Sequence, residues 1–562
     1  MANATTKATL VNMTSGEWLV QPEVLVPTVV LLFYVIYNYF LFPVPPSLSK
    51  LRILNSHPNE WFAYFRALYR NTVDLRKTLH LHHTYHKHET VRAPILGPGQ
   101  EKLILLPYDQ RKWLIDQPES ILSMHQQTDQ HFQFDYGTIY PTRDHQQVHI
   151  HLVTTKLTSQ IGNLIPTVAE ELDLALKEHW GGEGPGRGSS SQPEWKEVCV
   201  YETLRLIIGQ TINRIFLGEA LCRNRELLDT AVAYAQWVPV SAQLLTLLPK
   251  WVRGLVAPLI TLPSRWYERR WFKITLTEVR SRLEARRLQS KGTKENTGTH
   301  SGATKDNDFL DWLITYGESS DDPYLLDAEV LAARILLLNA FALHTTVFAI
   351  THMILDLVGS GERQGSKYIT ELRQEISDVL DEHSDGGEWD KRVLARLERL
   401  DSTFRESQRV NTVLTVGPLR IVSHKDGVTT PSGVHVPKGY QVGIPAYSIH
   451  HAEDIWGADA GLFDPFRHSN KRRNAQATGD HVRGARQAWA TTSPEYLSFG
   501  AGKNSCPGRF FAAGLLKVLM ANILLKYDFE YQEKRPDNVW FGTNHLPPTE
   551  AKIRIRRRLQ QD

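Results

Sequence analysis

The stretch SFGAGKNSCPGRFFAAGLLKVLMANILL, Ser498 to Leu525, constrains this chain more than any other. It sets Phe499, Gly502, Cys506 and Gly508 on a short loop and follows them at once with an apolar helical run. Gly502 permits a turn closed to residues that carry a Cβ, and Pro507 suits a first helical position. A thiol at a helix start meets free backbone amides and the positive end of the helix dipole, which stabilise a negative sulfur. Gly508 lets a flat group lie close to the first turn, and Phe499 offers an aromatic face beside it. A lone cysteine is ordinarily an inert core residue. The coincidence of these residues with the helix fits instead a thiolate under a planar macrocycle, the arrangement of haem-thiolate iron. Cys199 and Cys222 stand in no such setting and read as core residues. Three cysteines in 562 residues exclude a disulfide scaffold and fit a reducing compartment.

The rest of the chain is globular in composition, with 41% apolar and 22% charged residues, enough for a large core. The 64 Lys+Arg nearly balance the 61 Asp+Glu, so bulk charge gives no basis for binding nucleic acid. Helical periodicity is plainest in Thr203 to Ile215, Leu331 to Leu357 and Phe510 to Leu525. Strand-like alternation is confined to short pieces such as Lys102 to Leu106 and Val434 to Ile444. A mainly α chain with small β-sheets is expected. Polar stretches at Gly181 to Pro193, Gln289 to Asn307 and Asn470 to Ser493 read as surface loops.

Val24 to Ser49 carries no charge, and its apolar part, Val24 to Phe42, just reaches the about 20 helical residues that span a bilayer core. It exceeds the roughly 7–15 residues of a signal peptide's apolar region and leads into Pro43-Val44-Pro45-Pro46 instead of a cleavage site. A buried core helix is the other alternative. Glu17 and Glu23 before the run, and Lys50 and Arg52 after it, place the body in the cytosol. The expected order is a lumenal tail at 1–23, a transmembrane anchor at 24–42, a stiff Pro-rich hinge at 43–50 and one body at 51–562. In the tail, Asn3 and Asn12 fit the glycosylation pattern.

The Cys506 loop resembles that of the cytochromes P450, in particular the microsomal type of filamentous fungi. Three further segments carry the resemblance in the expected order. LLLNAFALHTTVFAITHMILDL, Leu336 to Leu357, is similar to the long helix over the haem's distal face. FRESQR holds Glu406 and Arg409 one helical turn apart, and FDPFR, Phe463 to Arg467, resembles the segment whose Arg joins them. NRIFLGEALCRN, Asn213 to Asn224, is also similar to a stretch common in fungal members. The resemblance spans about Leu51 to Arg558.

This resemblance implies the P450 fold and haem b with Cys506 as the axial iron ligand, flanked by Phe499, Gly502 and Gly508. It implies an ion-pair cluster of Glu406, Arg409 and Arg467 behind the loop. It implies that Thr345 guides protons during oxygen activation, against the alternative of a Thr bonding back to its own helix. His344 stands where the family usually has an acid. It titrates near neutrality and relays protons, orients a water, or packs outward. Asn504 replaces the Arg or His common two residues before the Cys, with Lys503 adjacent. His149 matches a His directed at haem, while Thr154 stands where Arg is frequent. Arg420 is then the remaining partner for a haem propionate, a role that suits guanidinium.

The implied activity is insertion of one oxygen atom from dioxygen into a C–H or C=C bond of an apolar small molecule. In fungal relatives this mostly serves secondary metabolism of terpenoids, polyketides and indole-derived compounds. A haem-thiolate isomerase or ring-rearranging enzyme is the nearer alternative, and a haem sensor the remoter one. The Gly-rich stretch Gly181 to Gly188 is no dinucleotide loop. Electrons are therefore expected from a separate NADPH-dependent flavoprotein reductase on the endoplasmic reticulum membrane. Lys503, Arg509 and Lys517 form either its docking face or a solvated helix face. The His-rich tract from His80 to Glu89 reads as surface, with metal binding as the sharper alternative. Lys552, Arg554 and Arg556 read as a solvated edge strand or a contact with membrane headgroups.

Overall fold

The computed structural model describes residues 44–558 apart from 58, 97–101, 139–146, 182–193, 249, 293–306 and 384–387, together with Val29 and Leu32. The expected tail with Asn3 and Asn12, nearly all of the anchor, and most of the first two polar stretches lie outside the described residues.

Acidic and amide side chains start the helices where the sequence supplies them. Asp74 caps α1 (Leu75–His86), and α2 (Arg111–Asp116) and α3 (Met124–Phe132) follow. The long α4 (Thr158–Trp180) leads to α5 (Val200–Phe216). Asn224 caps α6 (Arg225–Thr246), and α7 (Leu262–Gly292) comes next. Asp308 caps α8 (Phe309–Glu318), and Asp327 caps α9 (Ala328–Val358) by accepting from Glu329 and Val330 amides. Then come α10 (Gly361–His383), α11 (Glu398–Val410), α12 (Arg467–Ala477), α13 (His481–Ala485) and α14 (Arg509–Lys526).

α9 is apolar on nearly every side. Among the described residues it is the one helix long and apolar enough to cross a membrane, yet most of it is buried within the protein. Helices that are hydrophobic all round belong at the centre of a large core. Accordingly α5, α6, α7, α10, α11 and α14 pack around α9, and α4 packs on α5 and α14. Leu336, Leu343, Val347, Ile350 and Met353 are all within the main core.

The strands form small sheets. β1 (Val91–Arg92), β2 (Leu103–Leu105), β3 (Leu122–Ser123), β5 (Arg420–Val422) and β8 (Gln441–Gly443) lie in the order β1-β2-β8-β5-β3, with β2 and β8 parallel. β4 (Lys196–Cys199), β9 (Tyr527–Phe529) and β12 (Lys552–Arg557) form a sheet in the order β4-β12-β9. Hairpins join β6 (Val428–Thr429) to β7 (His435–Val436) and β10 (Val539–Phe541) to β11 (Asn544–Leu546).

Several expectations are corrected. β12 is the central strand of its sheet and not an edge. Its alternation buries Ile553 and Ile555, while Lys552, Arg554 and Arg556 pair with Glu197, Glu530 and Asp528. Asn470 to Ser493 is not a loop throughout. Asp480 caps α13, Ala475 of α12 is buried, and Trp489 and Ala490 join the main core. The hinge ends in a helical turn, Pro46–Ser49, whose Leu48 is fully buried beside Ile104, Val436 and Val442. In the His tract, His82 is buried in α1 with neither ring nitrogen bonded, and burial pushes it to about 4. Among the described residues no group of His, Cys, Asp and Glu is placed to hold a metal ion. Cys222 is buried as expected, whereas Cys199 is half-buried, its thiol donating to the Thr549 carbonyl.

Candidate functional site

The Cys loop closes on itself, with the Cys506 amide donating to the Phe499 carbonyl at 2.8 Å. Gly500 and Gly502 turn the chain with φ of +72° and +67°, where side chains are strained. At Gly502 space adds to strain, because a Cβ there would lie 2.5 Å from Cγ2 of Ile115 on α2. Gly508 is different. Its φ is ordinary, and a Cβ there would meet no protein atom within 4 Å. It is also the cap of α14, so Pro507 precedes the helix instead of opening it. Cys506 is accessible, yet enough protein surrounds it that burial pushes its thiol pKa up. The Gly508 amide, the Arg509 charge and the Arg509 amide oppose that rise without overcoming it. The expected amides are thus aimed at the sulfur, but they do not ionise it unaided.

Behind the loop, Glu406 and Arg409 meet on α11 in two hydrogen bonds of 2.8 and 2.7 Å, both residues fully buried. Arg467 adds a third contact to Glu406 at 2.9 Å and pairs outward with Asp459. Burial works against the Glu406 charge, but hydrogen bonds from Arg409 and His468 outweigh it and hold the carboxyl well below its usual range. His468, pushed to about 4 by burial, is the neutral fourth member, 3.2 Å from Glu406. Arg409 also donates to the carbonyls of Ala460 and Leu462. The neighbouring motif residues reach forward. Arg405 donates to the Ala488 and Thr491 carbonyls and lies 3.9 Å over the Tyr496 ring. Gln408 accepts from Trp489 and Tyr496. His468, Arg405 and Gln408 were missed in the sequence because nothing local distinguishes them from solvated polar residues.

On α9, Phe341 and Thr345 form an accessible patch on a helix otherwise enclosed. The Thr345 hydroxyl donates to the Phe341 carbonyl at 3.0 Å. Its proton is engaged within the helix, which leaves its lone pairs to accept from a partner. Phe132 and Phe134 stack with each other and meet Phe341 edge-on, a wall of aromatic surface beside Thr345. His344 turns away to α5, where Nδ1 lies 2.7 Å from the Tyr201 hydroxyl. Burial pushes His344 to about 4, so it does not titrate near neutrality as expected.

The residues expected at the haem propionates divide. Arg420 is buried in β5, donates only to the neighbouring Leu419 carbonyl and makes no ion pair among the described residues. His149 is buried against Arg334 of α9. Lys503 is exposed, Asn504 donates to Glu119 at 2.7 Å, and Thr154 bonds back to Ile150. Lys517 leaves the expected docking face, for it is buried on Asp401 and the Leu394 carbonyl. Arg509 donates to the Cys506 and Ala490 carbonyls. A buried unpaired guanidinium, an accessible thiol with amides aimed at it, and a glycine whose absent Cβ opens on free space fit a flat, carboxylate-bearing haem.

The family model of cytochrome P450 matches residues 69–554. The chain belongs to the cytochrome P450 family. It is 33% identical over 78% of its length to cytochrome P450 monooxygenase 151 of Postia placenta, covering 81% of that protein. It is 32% identical over 73% of its length to cytochrome P450 monooxygenase olcJ of Penicillium canescens, covering 71% of it. Among solved structures, retinoic acid bound cyanobacterial CYP120A1 superposes with a TM-score of 0.56 over 87% of this chain and 95% of its own, at 17% identity. That likeness confirms the mainly helical P450 fold with small sheets. The chain is a P450 monooxygenase, and P450s carry a haem-thiolate centre and work with dioxygen and a redox partner.

Proposed function

We propose that Cys506 is the axial thiolate of this P450 and that the enzyme inserts one oxygen atom into an apolar small molecule in a fungal secondary-metabolite pathway. The supporting observation is the accessible Cys506 sulfur with the Gly508 and Arg509 amides directed at it. When bound, haem supplies the activation of dioxygen. The chain's own residues do the rest. Arg420 binds a propionate, and Phe499 and Gly508 flank the macrocycle. The Glu406, Arg409 and Arg467 cluster holds the loop. Phe341, Phe132 and Phe134 bind apolar substrate and exclude water, as expected of a mostly apolar pocket. The Thr345 oxygen accepts from a water and so orients the proton that water donates. Electrons come from a separate NADPH-dependent flavoprotein reductase, with the body held on the cytosolic side of the endoplasmic reticulum by the segment at 24–42.

Deleting the gene and profiling metabolites should reveal an accumulated precursor, which microsomes holding the enzyme then oxidise with NADPH. Thr345→Ala should raise peroxide released per NADPH by on the order of tenfold, below the about 10²–10⁴-fold general acid–base scale, because a water partly replaces a hydroxyl. Turnover of the precursor without NADPH consumption would support the isomerase alternative and overturn the monooxygenase reading.

A further inference from the structure

Two polar pairs join α5 to α9. Asn213 and Asn339, both fully buried, exchange reciprocal hydrogen bonds of 2.9 and 3.0 Å. Tyr201 and His344 make the second contact at 2.7 Å. The phenol and imidazole ring planes are 7° from parallel. The 2.7 Å separation between the Tyr201 hydroxyl and Nδ1 is that of a hydrogen bond. Phe348, one turn after His344, stacks on both rings and holds them there. Burial keeps the phenol protonated, pushing it to about 12, and keeps the imidazole neutral. A proton on Nε2, which the Val232 carbonyl favours, leaves Nδ1 to accept from the Tyr201 hydroxyl. Nε2 makes no hydrogen bond among the described residues, though the Val232 carbonyl of α6 faces that side of the ring.

We propose that Tyr201 is a positioning residue for the monooxygenase reaction, which through its hydrogen bond to His344 fixes the rotation of α9 at the turn that presents Thr345. Successive residues of a helix point about 100° apart. Pinning His344 sideways to α5 therefore sets the direction of Thr345. Greasy helix faces slide and rotate against each other at little cost, whereas a directed polar pair selects one arrangement. Asn213 and Asn339 pin the same interface at a second height, which fixes translation as well as rotation. In this chain a neutral phenol–imidazole pair stands beside the proton-guiding hydroxyl, with the imidazole held away from it. The inference rests on Thr345 being that hydroxyl.

The test uses the full-length holoenzyme with its reductase and the precursor accumulated on gene deletion. Tyr201→Phe keeps the ring and its stacking but loses the donor. Peroxide per NADPH should rise by on the order of fivefold, a fraction of the ~10²-fold that a 1 Å misplacement can bring. Precursor affinity and the carbon monoxide spectrum should stay as in the native enzyme. His344→Leu should do the same, and the double variant should be no worse than the poorer single one. His344→Gln, whose amide oxygen can accept from Tyr201, should restore coupling. Independently of turnover, ¹⁵N spectra of the His-labelled full chain should show the His344 Nδ1 resonance as an acceptor that shifts in Tyr201→Phe. Native coupling in Tyr201→Phe, losses that multiply in the double variant, or no recovery in His344→Gln would each overturn the proposal. If Tyr201→Phe fails to fold, His344→Gln against His344→Leu decides it alone. Unchanged coupling in Thr345→Ala would instead sink the reading of Thr345, whereas uncoupling in Thr345→Ala but not in Tyr201→Phe sinks only the role of Tyr201.

Discussion

At the scale of single residues, the two glycines of the Cys loop do different work, and substitution separates them. Gly502 has φ +67° and no room for a Cβ beside Ile115. Gly502→Ala should lower folding stability by about 2 kcal/mol, from backbone strain and overpacking together. Gly508 has neither constraint within the protein. Gly508→Ala should leave the unfolding midpoint of the haem-free chain unchanged and weaken haem retention, measured as transfer to apomyoglobin. Equal effects from the two would show that Gly508 serves the fold and not the macrocycle. Cys506→Ser should fold and take up haem while losing the red-shifted Soret band that a thiolate gives the ferrous carbon monoxide complex. Persistence of that band would remove Cys506 as ligand. The Cys loop was legible in sequence because its requirements are local, a turn, a thiol and a helix start within a few residues. Lys517 was misjudged because exposure is not local. Lys517 lies on the α14 face turned to Asp401, and only packing decides which face that is.

At the scale of elements, α11 is fastened at both ends by charge. At its C-terminal end, Glu406→Gln should destabilise the protein by about 3–5 kcal/mol, since Arg409 would be left buried without its carboxylate. Glu375 of α10 caps the other end, accepting from the Arg399 and Leu400 amides at 2.6 and 2.9 Å. Burial raises its pKa from 4.5 to about 7 against those hydrogen bonds. The folded state thus keeps this proton to higher pH than the unfolded chain does. The stability it contributes is full below pH 4.5 and is lost as pH rises through about 7. Glu375→Gln, which mimics the protonated form, should flatten that limb of the stability curve by about 2 kcal/mol, partial exposure having been allowed for. An unaltered slope in urea titrations across this range would show that Glu375 is ionised throughout. The Glu406–Arg409 spacing was readable because one helical turn joins the two. Glu375 was not, because its partners lie on another helix.

At the scale of the whole molecule, the packed body already includes the end of the Pro-rich segment. Leu48 is fully buried among Ile104, Val436 and Val442. Deletion through Pro43 should release much of the protein from microsomes with its unfolding temperature intact. Deletion through Lys50 should in addition cost about 2–5 kcal/mol, the penalty for emptying a leucine site. Equal stability of the two truncations would place the boundary after Lys50.

The sequence by itself determined what local chemistry determines. It set three of the long helices (α5, α9 and α14), the Cys506 loop, the Glu406–Arg409 pair and the membership of the P450 family that these carry together. Each depends on contacts within a few residues, or on a pattern repeated along one helix. Tertiary structure alone decided which neighbours a side chain meets. It turned His344 to Tyr201, made β12 a central strand, ordered Asn470 to Ser493 into α12 and α13, and left Arg420 buried without a carboxylate. The reason is physical. Burial and pairing across the chain set both the charge of a group and the direction it points, and neither is written within the few residues around it.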